Sequence, residues 1–188
     1  MKNDDDSEFS PACLSHLPNI LSLFDGRFSL KSPISLPVFF QESGSLTKKL
    51  RKAAVFSFKI KIISETFKLI SPLRYPLLKL EKKEYAWHRI VHLCVDETVW
   101  VIAKTVIPNS ALTRKTKKLL YLRDRPLGEY LFSDPHLKRS AFIFSSNSRT
   151  SLFSFYDELI LLEEFFTDQA TVKIRDKSFT YDALLNDC

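Results

Sequence analysis

Two charged residues stand inside apolar runs of this chain, where a charge needs a reason. Arg89 interrupts the face made by Trp87, Val91 and Leu93 in a segment that alternates with period two. Glu164 lies within Leu159-Ile-Leu-Leu-Glu-Glu-Phe-Phe166, a nearly continuous apolar run. Burying a charge is expensive unless it is paired or put to use. Two readings follow. Such residues form an internal salt bridge, or they line a pocket where a guanidinium takes a ligand carboxylate and a carboxylate takes a ligand hydroxyl.

Other chemistry finds less support. His88 and His92 have the four-residue spacing of zinc-binding helices, but Arg89 stands where such a motif has its glutamate. Their segment reads as a strand, where four residues span roughly 13 Å, too far for one tetrahedral ion. Cys94 sits in an apolar strand, the setting of an inert thiol, and no serine occupies a nucleophile elbow. Only 3 glycines occur, which excludes a Gly-rich phosphate cradle. The net charge is +6, and residues 48–83 carry eleven Lys or Arg against Glu65 and Glu81. Basic residues on the wet face of an amphipathic strand account for Lys59 and Lys61, so a nucleic-acid partner is not expected. Cys13, Cys94 and Cys188 are few and far apart, which fits a reducing cytoplasm. The opening MKNDDDSEFS lacks the order of a signal peptide, and no apolar run approaches the roughly 18 residues of a membrane span.

The elements that must position Arg89 and Glu164 are mostly strands. Residues 1–16 read as a solvated tail, 17–168 as one folded domain and 169–188 as a C-terminal extension. Leu17–Phe24 and Leu36–Phe40 read as short helices or docked loop segments. Ser45 is a good N-cap for a helix over Leu46–Lys52. Phe56, Phe58, Ile60 and Ile62 alternate with polar residues, a strand with one wet face. Residues 64–83 are mixed and carry Pro72 and Pro76. Tyr85–Val95 and Val99–Ile107, parted by Asp96-Glu97-Thr98, predict an antiparallel hairpin. A short helix follows at Leu127–Phe132. Strands are expected at Arg139–Phe144, Ser151–Tyr156 and Leu159–Phe166, the last two around an Asp157-Glu158 turn, and another at Val172–Arg175 before a final helix. Strands on short turns with segregated helices indicate an α+β domain with a mainly antiparallel sheet.

Four blocks in order make the chain resemble the chorismate lyase family. They are Gly44-Ser-Leu-Thr47 with Lys48-Lys-Leu50; Trp87-His-Arg89 leading to Leu93-Cys-Val-Asp96; Thr105-Val-Ile-Pro108; and Arg125-Pro-Leu-Gly-Glu-Tyr-Leu-Phe132. The Leu159–Phe166 run supplies the closing strand. The resemblance implies a single domain with a roughly six-stranded antiparallel sheet and helical flaps over an internal pocket. It implies conversion of chorismate to 4-hydroxybenzoate and pyruvate for ubiquinone biosynthesis, with no cofactor or metal. By the same resemblance Arg89 binds the ring carboxylate, Glu164 the ring hydroxyl, and the flap backbone at Leu46 and Leu127 contacts the ligand. Chorismate is a dianion, so a second cation is expected for the departing enolpyruvyl group. Lys104, standing where the family often has arginine, is the candidate. The Arg-rich stretch that precedes the family's last strand is thin here, at Arg149-Thr-Ser151.

The expectation is thus a cytoplasmic, monomeric lyase with chorismate and 4-hydroxybenzoate as its small-molecule partners, and with neither a nucleic-acid partner nor a membrane span. The alternative is a non-catalytic effector-binding domain of the same general fold.

Overall fold

Period-two alternation becomes long antiparallel strands in the computed structural model, which describes residues 38–41 and 45–173. These residues belong to the compact unit Ile34–Cys188. A single helical turn, α1 (Val38–Gln41), precedes α2 (Leu46–Ala53). Ser45 caps α2 by accepting from the Lys48 N–H, and Arg51 and Lys52 in the last turn complement the helix dipole. The helix buries Leu46, Thr47 and Leu50. Three long strands follow: β1 (Phe58–Ile70), β2 (Glu84–Val95) and β3 (Thr98–Pro108). After short 3-10 turns at Asn109–Ala111 and Thr116–Tyr121 comes α3 (Leu127–Leu131). The chain then forms β4 (Leu137–Arg139), β5 (Ile143–Phe144), β6 (Ser148–Phe155) and β7 (Glu158–Phe166).

The strands make one seven-stranded antiparallel sheet in the order β1-β2-β3-β7-β6-β4, with β5 also paired to β6. The α+β expectation holds, with one strand more than the resemblance implied. Both tight hairpins turn on consecutive left-handed residues, Asp96 and Glu97 at φ 48 and 64, and Tyr156 and Asp157 at φ 52 and 65. Two left-handed residues match the twist of paired strands. The second turn therefore sits one residue earlier than the sequence suggested.

Other boundaries also moved. β1 runs on to Ile70 because a bulge between Ile62 and Ser64 inserts one residue and then pairing with β2 resumes. That insertion breaks the alternation from which a strand is recognised. The expected strand Arg139–Phe144 is two short ones, interrupted at 140–142 and both laid against β6. Residues 168–173 are helical where Val172–Arg175 was expected as a strand. The Thr167 hydroxyl accepts from the Ala170 N–H at 3.3 Å and starts that turn. The expected tail over 1–16, the piece at Leu17–Phe24 and the final helix lie outside the described residues.

Each face of the sheet has its own core. One face packs Trp87, Leu93, Val101, Phe153, Phe155 and Phe166 against Leu50, Leu119, Leu122 and Leu131 of the helices and turns. On the other face Ile70, Tyr75, Leu78, Ala86, Val106 and Leu161 form a smaller cluster.

Candidate active site

The register of four adjacent strands places the site. Arg89 on β2 pairs with Thr105 on β3, and Thr105 with Leu162 on β7. The neighbouring row runs Val91, Ala103, Glu164 and Arg149, across β2, β3, β7 and β6. Directly paired residues share a face, so these side chains form one floor. β2 and β7 lie two strand spacings apart, roughly 10 Å. That gap leaves room for a six-membered ring between the heads of Arg89 and Glu164, over Val91, Ala103 and Leu162.

A cavity of about 540 Å³, its open mouth included, stands over this floor. Ser45, Leu46 and Thr47 at the start of α2 line it from one side, and Pro126, Leu127 and Gly128 at the start of α3 from another. Phe132 and Arg139 complete the lining. Mostly apolar walls with a few charged groups suit a small organic ligand. Among its described lining residues stand three guanidiniums, Arg89, Arg139 and Arg149, and one carboxylate, Glu164.

Arg89 is buried, and its Nε donates to Glu65 at 3.0 Å. Its Nη2 donates to the carbonyl oxygens of Arg123 and, at 3.3 Å, Arg125. Burial pulls its pKa below the usual arginine value while Glu65 opposes the shift, and a guanidinium stays charged regardless. Glu164 is 6% exposed and accepts from Arg149 Nε at 2.5 Å. Arg149 is tied down further, its Nη1 donating to the Phe40 carbonyl at 2.7 Å. Each charge has an internal partner, and each lines the cavity. The partners are Glu65 and Arg149; Arg89 and Glu164 do not pair with each other in any contact described.

Lys104 is where the expectation fails. By alternation it leaves the opposite face of β3, pairs in register with Glu163, and places Nζ 2.8 Å from the Glu163 carboxylate and 3.3 Å from the Tyr75 hydroxyl. Burial works against its charge, but Glu163 and Tyr75 outweigh it and raise the lysine's pKa. It does not line the cavity. Arg139 and Arg149 are the cations at the far end; the sequence reading noted Arg149 only as part of a thin Arg-rich stretch and gave neither a site role. A signal was present for Arg149. It heads the inward face Arg149, Ser151, Phe153, Phe155 just as Arg89 interrupts its own apolar face. Arg139 offered none, because β4 has only three residues.

His88 and His92 also project from the face opposite Arg89. Burial, then the nearby Lys104, Lys68 and Arg74, push His88 down to about 4, and burial lowers His92. Among the described residues no group of three His, Cys, Asp or Glu is placed to hold a metal ion. Burial likewise raises the Cys94 thiol pKa, as for a packing residue.

The fold is a single antiparallel sheet with a guanidinium-lined cavity on one face, walled by the starts of α2 and α3. The chorismate lyase family model matches residues 28–177, most of the chain, and the protein belongs to that family. A relative from Marinobacter nauticus described as a probable chorismate pyruvate-lyase is 38% identical over 96 residues, 51% of each chain. One so described from Hydrogenovibrio crunogenus is 38% identical over 115 residues, 60% of each. The matches thus span about half the length of these curated relatives. Among solved structures, the C-terminal domain of the histidine utilization repressor from Pseudomonas syringae superposes with a TM-score of 0.41 at 7% identity, covering 61% of this chain and 94% of that one. Among the described residues no helix is long and apolar enough to cross a membrane.

Proposed function

We propose that this protein is a cytoplasmic lyase that eliminates pyruvate from chorismate and leaves 4-hydroxybenzoate, the ring precursor for ubiquinone. The observation that carries the reading is Arg89 facing Glu164 across an apolar floor one ring wide. A planar guanidinium fork suits the ring carboxylate, and Glu164 suits the ring hydroxyl at the other end. Main-chain groups at Leu46 and Leu127, both in the cavity wall, would complete the grip.

The reaction needs little more than a held geometry. The ring C3–O bond breaks, with its electron pair leaving on the enolpyruvyl oxygen. The C4 hydrogen leaves as a proton and the ring becomes aromatic. The enolpyruvyl methylene gains a proton and becomes the methyl group of pyruvate, so atoms balance. Aromatisation supplies the driving force. The residues orient the ring, exclude water under α2 and α3, and counter charge developing on the departing oxygen. Glu164, beside the hydroxyl-bearing carbon in this pose, would take the proton lost there.

Incubating the purified protein with chorismate and following 4-hydroxybenzoate and pyruvate tests this. Equimolar appearance of both is expected. Saturable binding of 4-hydroxybenzoate without turnover would overturn it in favour of an effector-binding domain.

A further inference from the structure

Arg139 takes no part in the grip on the ring proposed above. It stands on β4, beyond β6, paired in register with Phe153, and it lines the cavity at the end away from Arg89. Ring faces hold its guanidinium, with the Phe142 centroid at 4.5 Å, Phe132 at 5.0 Å and Phe153 at 6.0 Å. Arg149 lies 4.2 Å from the same Phe142 ring, so two guanidiniums share one phenyl group. Adjacent like charges cost energy unless a negative group joins them. Glu164 bonds Arg149 and bears on Arg139 as well, and a ligand carboxylate would bring a second negative group to this end. Burial, and then the Arg149 charge, lower the Arg139 pKa, with Glu164 opposing them.

Substrate geometry sets what this end meets. Chorismate carries its ring carboxylate on C1, its hydroxyl on C4 and the enolpyruvyl ether on C3, next to the hydroxyl. With C1 directed at β2 and C4 at β7, the ether extends past Glu164 toward β6 and β4. Arg149 and Arg139 are the cavity-lining cations on that side; Lys104 is on the other face of the sheet.

We infer that Arg139 determines substrate specificity by gripping the enolpyruvyl carboxylate, the charge that separates the dianionic substrate from its monoanionic aromatic product. This rests on the lyase reading above. A guanidinium engages rings through its plane and an anion through its edge, so the phenyl groups preset the fork. The carboxylate departs with pyruvate. Arg139 thus holds the substrate through bond breaking and has no claim on the product left behind.

The test compares two ligands in two variants, Arg139→Gln and Arg139→Lys. For chorismate, kcat/KM should fall about 30-fold or more in Arg139→Gln, the range for removing one partner of a desolvated charge pair, with a smaller fall in Arg139→Lys. The calorimetric Kd for 4-hydroxybenzoate should stay within about twofold in both, a change under half a kcal/mol. Equal losses for both ligands, or unchanged kcat/KM in a natively folded variant, would overturn the inference. If Arg139→Gln does not fold, Arg139→Met keeps the stem against the rings and reads the same contrast. If the wild type shows no turnover, the lyase reading fails on its own. The Arg139 inference is then decided by whether chorismate binding depends on Arg139 while 4-hydroxybenzoate binding does not.

Discussion

Arg89 does two jobs in this geometry. It faces the cavity, and it fastens Glu65 and the backbone of residues 123–125 to β2. Arg89→Ala should therefore weaken 4-hydroxybenzoate binding by about 2–4 kcal/mol, as for loss of a buried charge-assisted pair, and also lower the melting temperature. Calorimetry beside thermal unfolding separates the two, and unchanged affinity would leave Arg89 purely structural. Glu163 and Glu164 are adjacent in sequence yet leave β7 on opposite faces. Glu164→Gln keeps shape and an acceptor for Arg149 but loses the charge; turnover should fall about 100-fold or more, the scale for a proton-transfer group, with a smaller loss in product affinity. From the sequence alone Glu163→Gln would be silent on a wet face. The structure instead buries Glu163 against Lys104. Glu163→Gln should thus cost about 1–2 kcal/mol of stability and leave KM within error. A dead Glu163 variant beside an active Glu164 variant would shift the assignment by one residue.

Elements hold these side chains in register, and Asp96 shows how. Its carboxylate accepts from the backbone N–H groups of Val55, Phe56 and Ser57 at 3.0, 2.8 and 3.0 Å. It thus staples the entry of β1 to the β2–β3 turn, and its own φ of 48 suits Asp better than Ala. Asp96→Ala should lower stability by about 2 kcal/mol through lost charge-assisted bonds and turn strain. Chemical denaturation measures this. The folded fraction should still bind 4-hydroxybenzoate normally, because the floor lies several residues away along β2. The hairpin containing Arg89 was legible in sequence, since aromatic and β-branched runs flanked a short polar break. The continuation of β1 beyond Ile62 was not. A bulge changes parity, and parity is the only sign a half-exposed strand gives.

Across the whole molecule, pH acts through the second face of the sheet. His88 is 6% exposed, its ring lies against Tyr75, and the cations Lys104, Lys68 and Arg74 bear on it. The unfolded chain takes up its proton near 6.5, the folded one only near 4. Between these values the unfolded state binds more protons, so stability is full above pH 6.5 and falls as pH drops toward 4. At 1.36 kcal/mol per unit, roughly 3 kcal/mol is at stake. His88→Leu should flatten that part of the stability profile, measured by denaturation from pH 4 to 7. An unchanged slope would assign the acid sensitivity to other groups.

Local pattern by itself determined the antiparallel hairpin, the capped α2, and Arg89 and Glu164 as charges in apolar runs that need partners or a ligand. These rest on period and on the cost of burying charge, both of which act over neighbouring residues. Only the tertiary structure decided which partners they took. Glu65 and Arg149 reach them across strands 24 and 15 residues away in the chain. It also put Lys104 on the face away from the cavity and left Arg139 and Arg149 as the cations lining its far end. Alternation puts Lys104 on one face of β3, but which face is roofed by α2 and α3 depends on where the connections cross the sheet. No local pattern in the chain encodes that choice.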